Sequence, residues 1–213
     1  TMQDNDRVRE QVKDDIASVG GSKGGLQLPF GLDCAEQAAV QEYLAIYASK
    51  GGGTISTWLR RSGMWREHIE TILAEEDVPT DLLYLAMIES GFKPRVKSPA
   101  NAGGMWQFIP GTAVDMGLRI DEWVDERFDP LKATRAAARY LRKQKELFGS
   151  WPLAMAAYNG GAGLVGRAIE IYNSNDYFKL VEYGAMYDET RRYVPRILAA
   201  ALIGKNLEAF GYE

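Results

Sequence analysis

One acidic residue ends an apolar run in the stretch Leu82-Leu83-Tyr84-Leu85-Ala86-Met87-Ile88-Glu89-Ser90-Gly91-Phe92-Lys93-Pro94. Residues 82–88 are apolar on every side, so the sequence predicts a helix that is buried all round rather than half in water. Thr80 is the predicted N-cap after Pro79, and Gly91 with Pro94 is predicted to end the helix. Glu89 would then lie in the last turn of a buried helix.

Two effects are expected to raise the pKa of Glu89. Loss of hydration disfavours the charged carboxylate, and the negative C-terminal end of the helix acts in the same direction. A carboxylic acid that stays protonated near neutral pH is what general acid catalysis requires. The alternative is a structural ion pair with Lys93, Arg95 or Lys97. For a single glutamate at a helix end, this structural alternative is the more common one.

The segment that follows has the composition of a cleft wall. It reads Ser98-Pro99-Ala100-Asn101-Ala102-Gly103-Gly104-Met105-Trp106-Gln107-Phe108-Ile109-Pro110-Gly111-Thr112. The adjacent glycines allow a sharp turn or a close approach of the backbone. Trp106 and Gln107 place an aromatic ring beside an amide, and Pro110 is predicted to open the next helix. Together with a buried acid, this segment indicates a cleft for a polar, ring-shaped ligand.

Four ordered motifs resemble those of the soluble lytic transglycosylase family. They are Glu89-Ser90, Gly104-Met105-Trp106-Gln107-Phe108-Ile109-Pro110, Ala157-Tyr158-Asn159-Gly160-Gly161 and Glu189-Thr190-Arg191-Arg192-Tyr193-Val194-Pro195. The resemblance covers residues 36–208, and a Trp before the Gln is similar to the membrane-bound lytic transglycosylase D branch. It implies an all-α, lysozyme-like (goose-type) domain with a cleft between helical lobes. The doubled glycines Gly103-Gly104 and Gly160-Gly161 depart from the usual pattern without touching the proposed acid.

The resemblance implies a peptidoglycan lyase that cleaves the β-1,4 bond between N-acetylmuramic acid and N-acetylglucosamine without water. Glu89 is implied to protonate the leaving glycosidic oxygen and then to accept the proton of the sugar's own 6-hydroxyl, which leaves a 1,6-anhydro end. The N-acetyl group of the substrate is implied to assist, so that one carboxyl suffices where most glycosidases need two. Glu189 is the one candidate for a second carboxyl, and we expect it to support the site by hydrogen bonding.

The resemblance also implies a set of substrate-binding residues: Ser98, Met105, Gln107, Phe108, Ile109, Tyr158, Asn159, Glu189 and Tyr193. Ser98 and the amide of Gln107 are expected to hold polar groups of the sugar, and the two apolar residues after Gln107 are expected to line the cleft. The hydroxyl of Tyr158 is expected to point toward Glu89 or the acetamido group, with Tyr193 close to the acid. The alternative for both tyrosines is a packed core ring with a satisfied hydroxyl.

Composition excludes several other classes of protein. The 213 residues are 46% hydrophobic and 25% charged, which is typical of one globular domain. A net charge of −4 without a basic patch argues against nucleic-acid binding. His68 and Cys34 are the single histidine and cysteine, so zinc sites, Cys/His catalysis and an internal disulfide are excluded. No cofactor or metal is expected.

Helical periodicity extends along most of the remaining sequence. Predicted helices cover 36–49, 54–62, 64–76, 110–117, 131–148, 151–159, 162–172, 180–183 and 188–207, and 7–19 is a further short one. Residues 1–32 are predicted to be a polar Gly/Ser-rich tail or linker, and 33–213 the catalytic domain. The acidic segment 121–129 is predicted to be a solvated turn anchored by Trp123 and Phe128, with Asp129 capping the next helix. Residues 103–105 and 173–175 could each form a short hairpin or turn.

Location and partners follow from the resemblance alone. No stretch approaches the roughly 20 apolar residues of a membrane span, and the first residues do not resemble a signal peptide. We expect a monomer in the periplasm or cell envelope, anchored to the outer membrane, if at all, by a segment beyond this sequence. Peptidoglycan strands are the expected partner, with other cell-wall enzymes as candidates. A hydrolytic muramidase, a non-catalytic peptidoglycan-binding module and a plain helical interaction protein remain as alternatives.

Overall fold

The computed structural model describes residues 27–32, 34, 37–49 and 53–212. Within these ranges the chain forms ten α-helices: α1 (Ala38–Ser49), α2 (Gly53–Ser62), α3 (Arg66–Glu75), α4 (Leu83–Ser90), α5 (Pro110–Asp115), α6 (Pro130–Phe148), α7 (Trp151–Gly160), α8 (Ala162–Tyr172), α9 (Tyr177–Glu182) and α10 (Asp188–Lys205). Within the same ranges there are four 3-10 turns, two between helices at Thr80–Leu82 and Glu126–Phe128, one before α1 at Pro29–Gly31 and one after α10 at Glu208–Phe210. The all-helical prediction is therefore confirmed for the described residues. The helix predicted over 7–19 and most of the predicted tail lie outside them.

Helix α4 lies at the centre of the molecule. Its residues Leu83 to Ile88 are all buried, as the unbroken apolar run predicts. The C-terminal helix α10 packs against α1, α4 and α7, and α6 packs against α3 and α7. The helix that ends at the candidate acid is therefore enclosed by other helices, and α10 crosses it directly.

The two ends of α4 differ in how well the sequence predicts them. Gly91 ends the helix in the left-handed conformation, with φ 59°, and its N–H donates to the Met87 carbonyl, as predicted. Thr80 as N-cap is wrong, because the chain after Pro79 tightens into the 3-10 turn Thr80–Leu82 and runs into α4 without a side-chain cap. Instead, carbonyl groups of that turn accept the hydrogen bond of the first backbone N–H of α4.

Capping side chains set the start of the long helix α6 and of α7. The Asp129 carboxylate accepts hydrogen bonds from the N–H groups of Leu131 and Lys132, each at 3.0 Å. Ser150 accepts one from Leu153 at the start of α7. Side-chain oxygens at these positions satisfy N–H groups that a helix leaves unpaired at its first turn. The predicted cap at Asp129 is confirmed.

The acidic segment before α6 is anchored differently from the prediction. Trp123 is 86% exposed, so its predicted anchoring role is wrong. The segment is instead held by Arg127, whose guanidinium is almost fully buried and pairs with Asp125 at 2.7 Å. Arg127 also donates to the carbonyls of Asn101 at 2.6 Å and Phe108 at 3.1 Å. A buried cation is stable here because each of its N–H groups that faces the interior meets an acceptor.

The loop between α4 and α5 forms the predicted tight turn rather than a strand. Isolated bridges join Gly103 to Lys97 and to Phe108, so the loop folds back on itself beside the end of α4. Among the described residues, no helix combines the length and apolar character that crossing a bilayer requires.

Candidate active site

A groove of about 670 Å³ opens between the end of α4, the loop after it, α6, α7 and the start of α10. It is lined by Glu89, Ser98, Pro99, Ala100, Ala102, Gln107, Phe108, Ile109, Thr112, Tyr140, Tyr158, Asn159, Gly160, Gly161 and Glu189. The structure thus brings eight of the ten predicted site residues to one surface. The exceptions are Met105 and Tyr193.

Glu89 combines contact with the groove and an environment that favours the neutral carboxyl. Burial raises its pKa to about 7, against an ordinary value of 4.5. A hydrogen bond from Tyr193 and the positive charge of Arg196 oppose this shift, while the negative charge of Glu189 adds to it. The alternative ion pair with Lys93, Arg95 or Lys97 does not form. The expected rise in pKa is present, and desolvation is its largest cause.

Tyr193 lies behind Glu89 rather than in the groove. Its ring is 3% exposed, and its hydroxyl donates a hydrogen bond to Oε1 of Glu89. Helix α10 positions this ring because it crosses α4 directly. Burial keeps the pKa of Tyr193 well above its usual range, so the hydroxyl retains its proton and acts as a donor to Glu89.

Tyr158 lines the groove, but its hydroxyl does not bond to Glu89, the first of the two groups toward which the resemblance implied it would point. It donates to the carbonyl of Trp106 at 2.6 Å and not to Glu89. The carbonyl belongs to a fully buried residue of the loop and needs a donor, which explains the difference. The ring packs against Phe108 and edge-on against Tyr140, with centroid distances of 5.9 and 5.5 Å.

The loop after α4 presents Gln107 and Ser98 to the groove. Gln107 has a positive φ of 51°, and its amide nitrogen donates to the Gly104 carbonyl at 2.7 Å. The nitrogen is held by the loop, so the amide oxygen is the group available to a ligand. Ser98 accepts a hydrogen bond from the N–H of Ala102 at 3.0 Å, which fixes its side chain at the groove wall.

Met105 as a groove residue is wrong, because its side chain is completely buried in the core. Its carbonyl accepts a hydrogen bond from the Ser90 hydroxyl at 2.8 Å, which ties the loop to the last residue of α4. The side chain is inaccessible because Gly104 turns the chain inward at this point, with φ 80°.

Asn159 and Glu189 form a polar edge of the groove. The Asn159 amide oxygen accepts from the Thr190 hydroxyl at 2.8 Å, and its nitrogen donates to Glu189 at 3.3 Å. Glu189 is exposed and makes this one hydrogen bond to the site, in keeping with the expected supporting role. Its contact is with Asn159 and not with Glu89.

Tyr140 on α6 also lines the groove, although it is not among the site residues predicted from the sequence. The buried face of this helix is rich in alanine, at Ala133, Ala136 and Ala137. A single large ring on an alanine face was the available signal, because close helix packing leaves little room for such a side chain. Of the described residues, no group of three or more His, Cys, Asp or Glu is arranged to hold a metal ion.

Comparisons with known proteins identify relatives of this chain. Residues 68–181 match the model of the transglycosylase SLT domain. The chain is 37% identical over 142 residues to membrane-bound lytic murein transglycosylase D of Escherichia coli K12, which covers 64% of this chain and 30% of that protein. It is 36% identical over 140 residues to peptidoglycan transglycosylase gp16 of Escherichia phage T7, which covers 63% of this chain and 10% of that protein.

A solved structure shares the fold. The crystal structure of the 70 kDa soluble lytic transglycosylase SLT70 of Escherichia coli superposes with a TM-score of 0.60 at 20% identity, covering 97% of this chain and 35% of that one. This similarity confirms the lysozyme-like helical fold. The chain spans about a third or less of the length of each of these proteins. Because the family model matches more than half of its residues, the chain belongs to the transglycosylase SLT domain family.

Proposed function

We propose that residues 33–213 form the catalytic domain of a peptidoglycan lytic transglycosylase, and that residues 1–32 are a tail or linker whose end, residues 27–32, packs against that domain. The observation that carries the proposal is Glu89, a groove-lining carboxyl whose pKa is raised to about 7 and which accepts a hydrogen bond from a buried tyrosine. A pKa near the operating pH lets one group give a proton in one step and take one in the next.

In the first step, protonated Glu89 donates to the glycosidic oxygen between N-acetylmuramic acid and N-acetylglucosamine, and the C1–O bond breaks. The carboxylate that results is stabilised by the Tyr193 hydroxyl, which already faces it. In the second step, the carboxylate removes the proton of the 6-hydroxyl, whose oxygen bonds to C1 and closes the 1,6-anhydro ring. The proton balance is zero over the two steps, and no water is consumed.

The walls of the groove suit a chain of N-acetylated sugars. Ile109 is 52% exposed and offers, with the groove-lining Phe108, an apolar surface for an acetamido methyl group. The Gln107 amide oxygen and the Ser98 hydroxyl supply hydrogen-bonding groups on the same side. Sugar-binding sites in general combine such apolar contact with a few fixed polar groups.

A second carboxyl in the manner of two-carboxylate glycosidases has little support. Such enzymes hold two carboxyls roughly 5 to 9.5 Å apart across the scissile bond. Glu189, the one candidate, is exposed and hydrogen-bonded to Asn159. We therefore assign Glu189 to holding Asn159 in place and leave both proton transfers to Glu89.

The proposal extends to a monomer that acts on peptidoglycan strands in the cell envelope, on the periplasmic side and with other cell-wall enzymes as candidate partners. The E. coli relative is described as membrane-bound, which supports this location.

Turnover of purified murein sacculi by wild type and by Glu89→Gln tests the proposal. Glu89→Gln keeps the shape of the side chain and removes the proton, so we expect the rate to fall roughly 10²- to 10⁴-fold. Glu182→Gln removes an exposed carboxylate and is the matched control, with wild-type turnover expected.

The products separate the remaining alternatives. Anhydro products are lighter by one water than hydrolysed ones in mass spectrometry, so hydrolysed ends would mean a muramidase. Full activity of Glu89→Gln would remove Glu89 from the mechanism. Binding of sacculi without turnover by wild type would indicate a non-catalytic module.

A further inference from the structure

A second pocket, of about 230 Å³, lies where α1 and α2 meet α10. Its walls include Tyr43, Ile46, Tyr47, Thr54, Ile55, Trp58 and Arg196. All of these residues lie outside the segment 68–181 that matches the family model. The pocket is therefore built from parts of the chain that flank the segment matched by the family model.

The pocket adjoins the end of α4 that carries Glu89. The indole of Trp58 packs so closely on Gly91 that a Cβ at that position would lie 2.5 Å from the ring. Arg196 follows Tyr193 by three residues on α10, and its charge acts on Glu89. Trp58 and Arg196 thus place the pocket close to the last turn of α4, where Glu89 lies.

Arg196 differs from its neighbours on α10 in having no carboxylate partner among the described residues. Arg191 and Arg192 both pair with Asp188, at 2.9 and 3.8 Å. The guanidinium of Arg196, which is half-buried, lies beside the hydroxyl of Tyr47. A half-buried cation without a counter-ion has a strong electrostatic preference for an anionic ligand.

The remaining walls, as far as the described residues form them, supply donors and apolar surface but no negative charge. The buried hydroxyl of Tyr47 finds no acceptor in the described part of the chain. Among the residues that the structure describes, the lining contains no Asp or Glu. A volume below the roughly 300 Å³ at which drug-sized sites begin suits one small group rather than a length of glycan. Charge and size together indicate a carboxylate on a short substituent.

We propose that this pocket binds a carboxylate borne by the muramyl side chain of the strand being cut, with Arg196 as its partner. The inference rests on the proposed function. The N-acetylated sugar rings of peptidoglycan are neutral, so its carboxylates lie on the peptide attached to the lactyl group, or on the lactyl group itself where no peptide is attached. Guanidinium and carboxylate form charge-assisted hydrogen bonds of matching geometry. The pocket therefore selects strands by their side chains, and the groove holds their sugars.

The test compares kcat/KM on three preparations of the same strands: native, with all carboxylates capped as amides, and stripped of peptide by an amidase. Wild type is expected to prefer native over capped strands roughly tenfold, the value of one charge-assisted hydrogen bond. Arg196→Met should bring that ratio close to one, and Arg196→Lys should keep part of it. Effects of Arg196 on Glu89 cancel in the ratio, because the same acid cuts both strands.

Two further variants sharpen the comparison. Arg192→Met removes a cation from the same helix but outside the pocket and should keep the wild-type ratio. Tyr47→Phe removes the second donor without changing the ring and should lower the ratio even if Arg196→Met fails to fold. The amidase frees the lactyl carboxylate, which in native strands is bound to the peptide as an amide. A rate like that of native strands therefore shows that the pocket also accepts a lactyl carboxylate, and a rate like that of capped strands shows that it requires a carboxylate of the peptide.

Binding by the Glu89→Gln protein separates the inference from the proposed function. If wild type cuts no strand, the proposed function fails, and the affinities of Glu89→Gln for native and capped strands still measure the pocket. Tighter binding of native strands that is lost on adding Arg196→Met supports the inference. Equal affinity for native and capped strands, or a preference that survives Arg196→Met, overturns it.

Discussion

The carboxyl of Glu89 is kept neutral by burial, and this gives the stability of the fold a dependence on pH. Its pKa is about 7 in the folded chain, against an ordinary value of 4.5. Between these two values the native state binds a proton that the unfolded state has released, so stability falls as the pH rises. The contribution of the neutral Glu89 carboxyl to the free energy of unfolding is fully present below pH 4.5. By about pH 7, the free energy of unfolding has fallen by about 3 kcal/mol.

Glu89→Gln should remove this dependence, because the amide is neutral at every pH. Denaturant unfolding at pH 4.5, 6 and 8 is expected to show Glu89→Gln gaining on wild type as the pH rises, by about 3 kcal/mol in all. Glu122→Gln, which removes an exposed carboxylate, should follow wild type. A constant difference between Glu89→Gln and wild type would show that the carboxyl is not desolvated.

Tyr193 offsets part of the burial of Glu89. Its hydrogen bond lowers the pKa of Glu89, so Tyr193→Phe should raise that pKa further. Because the reaction needs the protonated acid first, the alkaline limb of the pH–rate profile should move up by about one pH unit, and the maximal rate should fall. The measurement is turnover of sacculi from pH 5 to 9.

Tyr177→Phe is the matched control for this substitution. The Tyr177 hydroxyl is also buried, and it donates to the carbonyls of Thr190 and Arg191 on the same helix, at 3.1 and 2.9 Å. Tyr177→Phe should lower the free energy of unfolding without shifting the pH–rate profile. A shift of the same size in both variants would mean that helix packing, and not the hydrogen bond to Glu89, sets the profile.

Sequence alone could indicate Glu89, since an acid at the end of an all-apolar helix has one predictable environment. It could not indicate that the Tyr158 hydroxyl serves the Trp106 carbonyl, because that bond joins residues 52 positions apart. The burial of Met105 depends on the backbone turn at Gly104, with φ 80°. Side-chain direction in a loop follows from such dihedrals, which residue types do not fix.

At the level of elements, the groove wall depends on the contact between the loop after α4 and the segment before α6. Arg127 donates to the carbonyls of Asn101 and Phe108 in that loop and pairs with Asp125. In sequence this segment is a run of charges, which is typical of a solvated turn. The burial of Arg127 is explained by the loop that supplies its hydrogen-bond acceptors. Composition alone does not identify that loop.

Gly104 is the closest point of this contact. A Cβ there would lie 1.7 Å from the Arg127 carbonyl oxygen, and the residue has φ 80°. Gly104→Ala should therefore cost roughly 2 to 4 kcal/mol, the sum of left-handed strain and forced separation of the two segments. Denaturant unfolding gives the loss of stability, and KM on sacculi should rise as the loop with Gln107 moves.

Gly117→Ala separates the cost of left-handed backbone strain from the cost of the close contact that Gly104 makes with Arg127. Gly117 has φ 87°, and a Cβ there would meet no atom within 4 Å. Its substitution should cost only about 1 kcal/mol, from the left-handed conformation alone, and leave KM unchanged. Equal losses in the two alanine variants would show that the close approach to Arg127 carries no energy.

For the whole molecule, the sequence predicts helices better than their arrangement. Caps such as Asp129 and breaks such as Gly161 are local signals, and the helices they bound are found within a few residues of prediction. Which helix covers which depends on contacts far apart in sequence. The crossing of α10 over α4 brings together residues 104 positions apart, Glu89 and Tyr193. No local pattern in either helix specifies that pairing.

This crossing depends on the small size of Gly204 in α10. A Cβ there would lie 2.3 Å from the ring of Tyr84 on α4, and that ring is 1% exposed. Alanine inside a helix normally gains about 1 kcal/mol over glycine. Overpacking of a rigid buried ring costs about 1 to 3 kcal/mol and outweighs this gain. Gly204→Ala should therefore destabilise the fold and lower turnover, since α10 carries Tyr193 away from Glu89.

Gly166→Ala in α8 should have the opposite effect and stabilise the fold. The nearest atom to its Cβ would be in Phe148 at 3.9 Å, an ordinary contact, so the helical gain of about 1 kcal/mol remains.

Replacing Tyr84 by Leu makes room at α4, so Gly204→Ala should cost less in a Tyr84→Leu background than in wild type, and a double-mutant cycle measures this coupling. Stabilisation by Gly204→Ala, or additive effects of the two substitutions, would show that α10 does not rest on Tyr84.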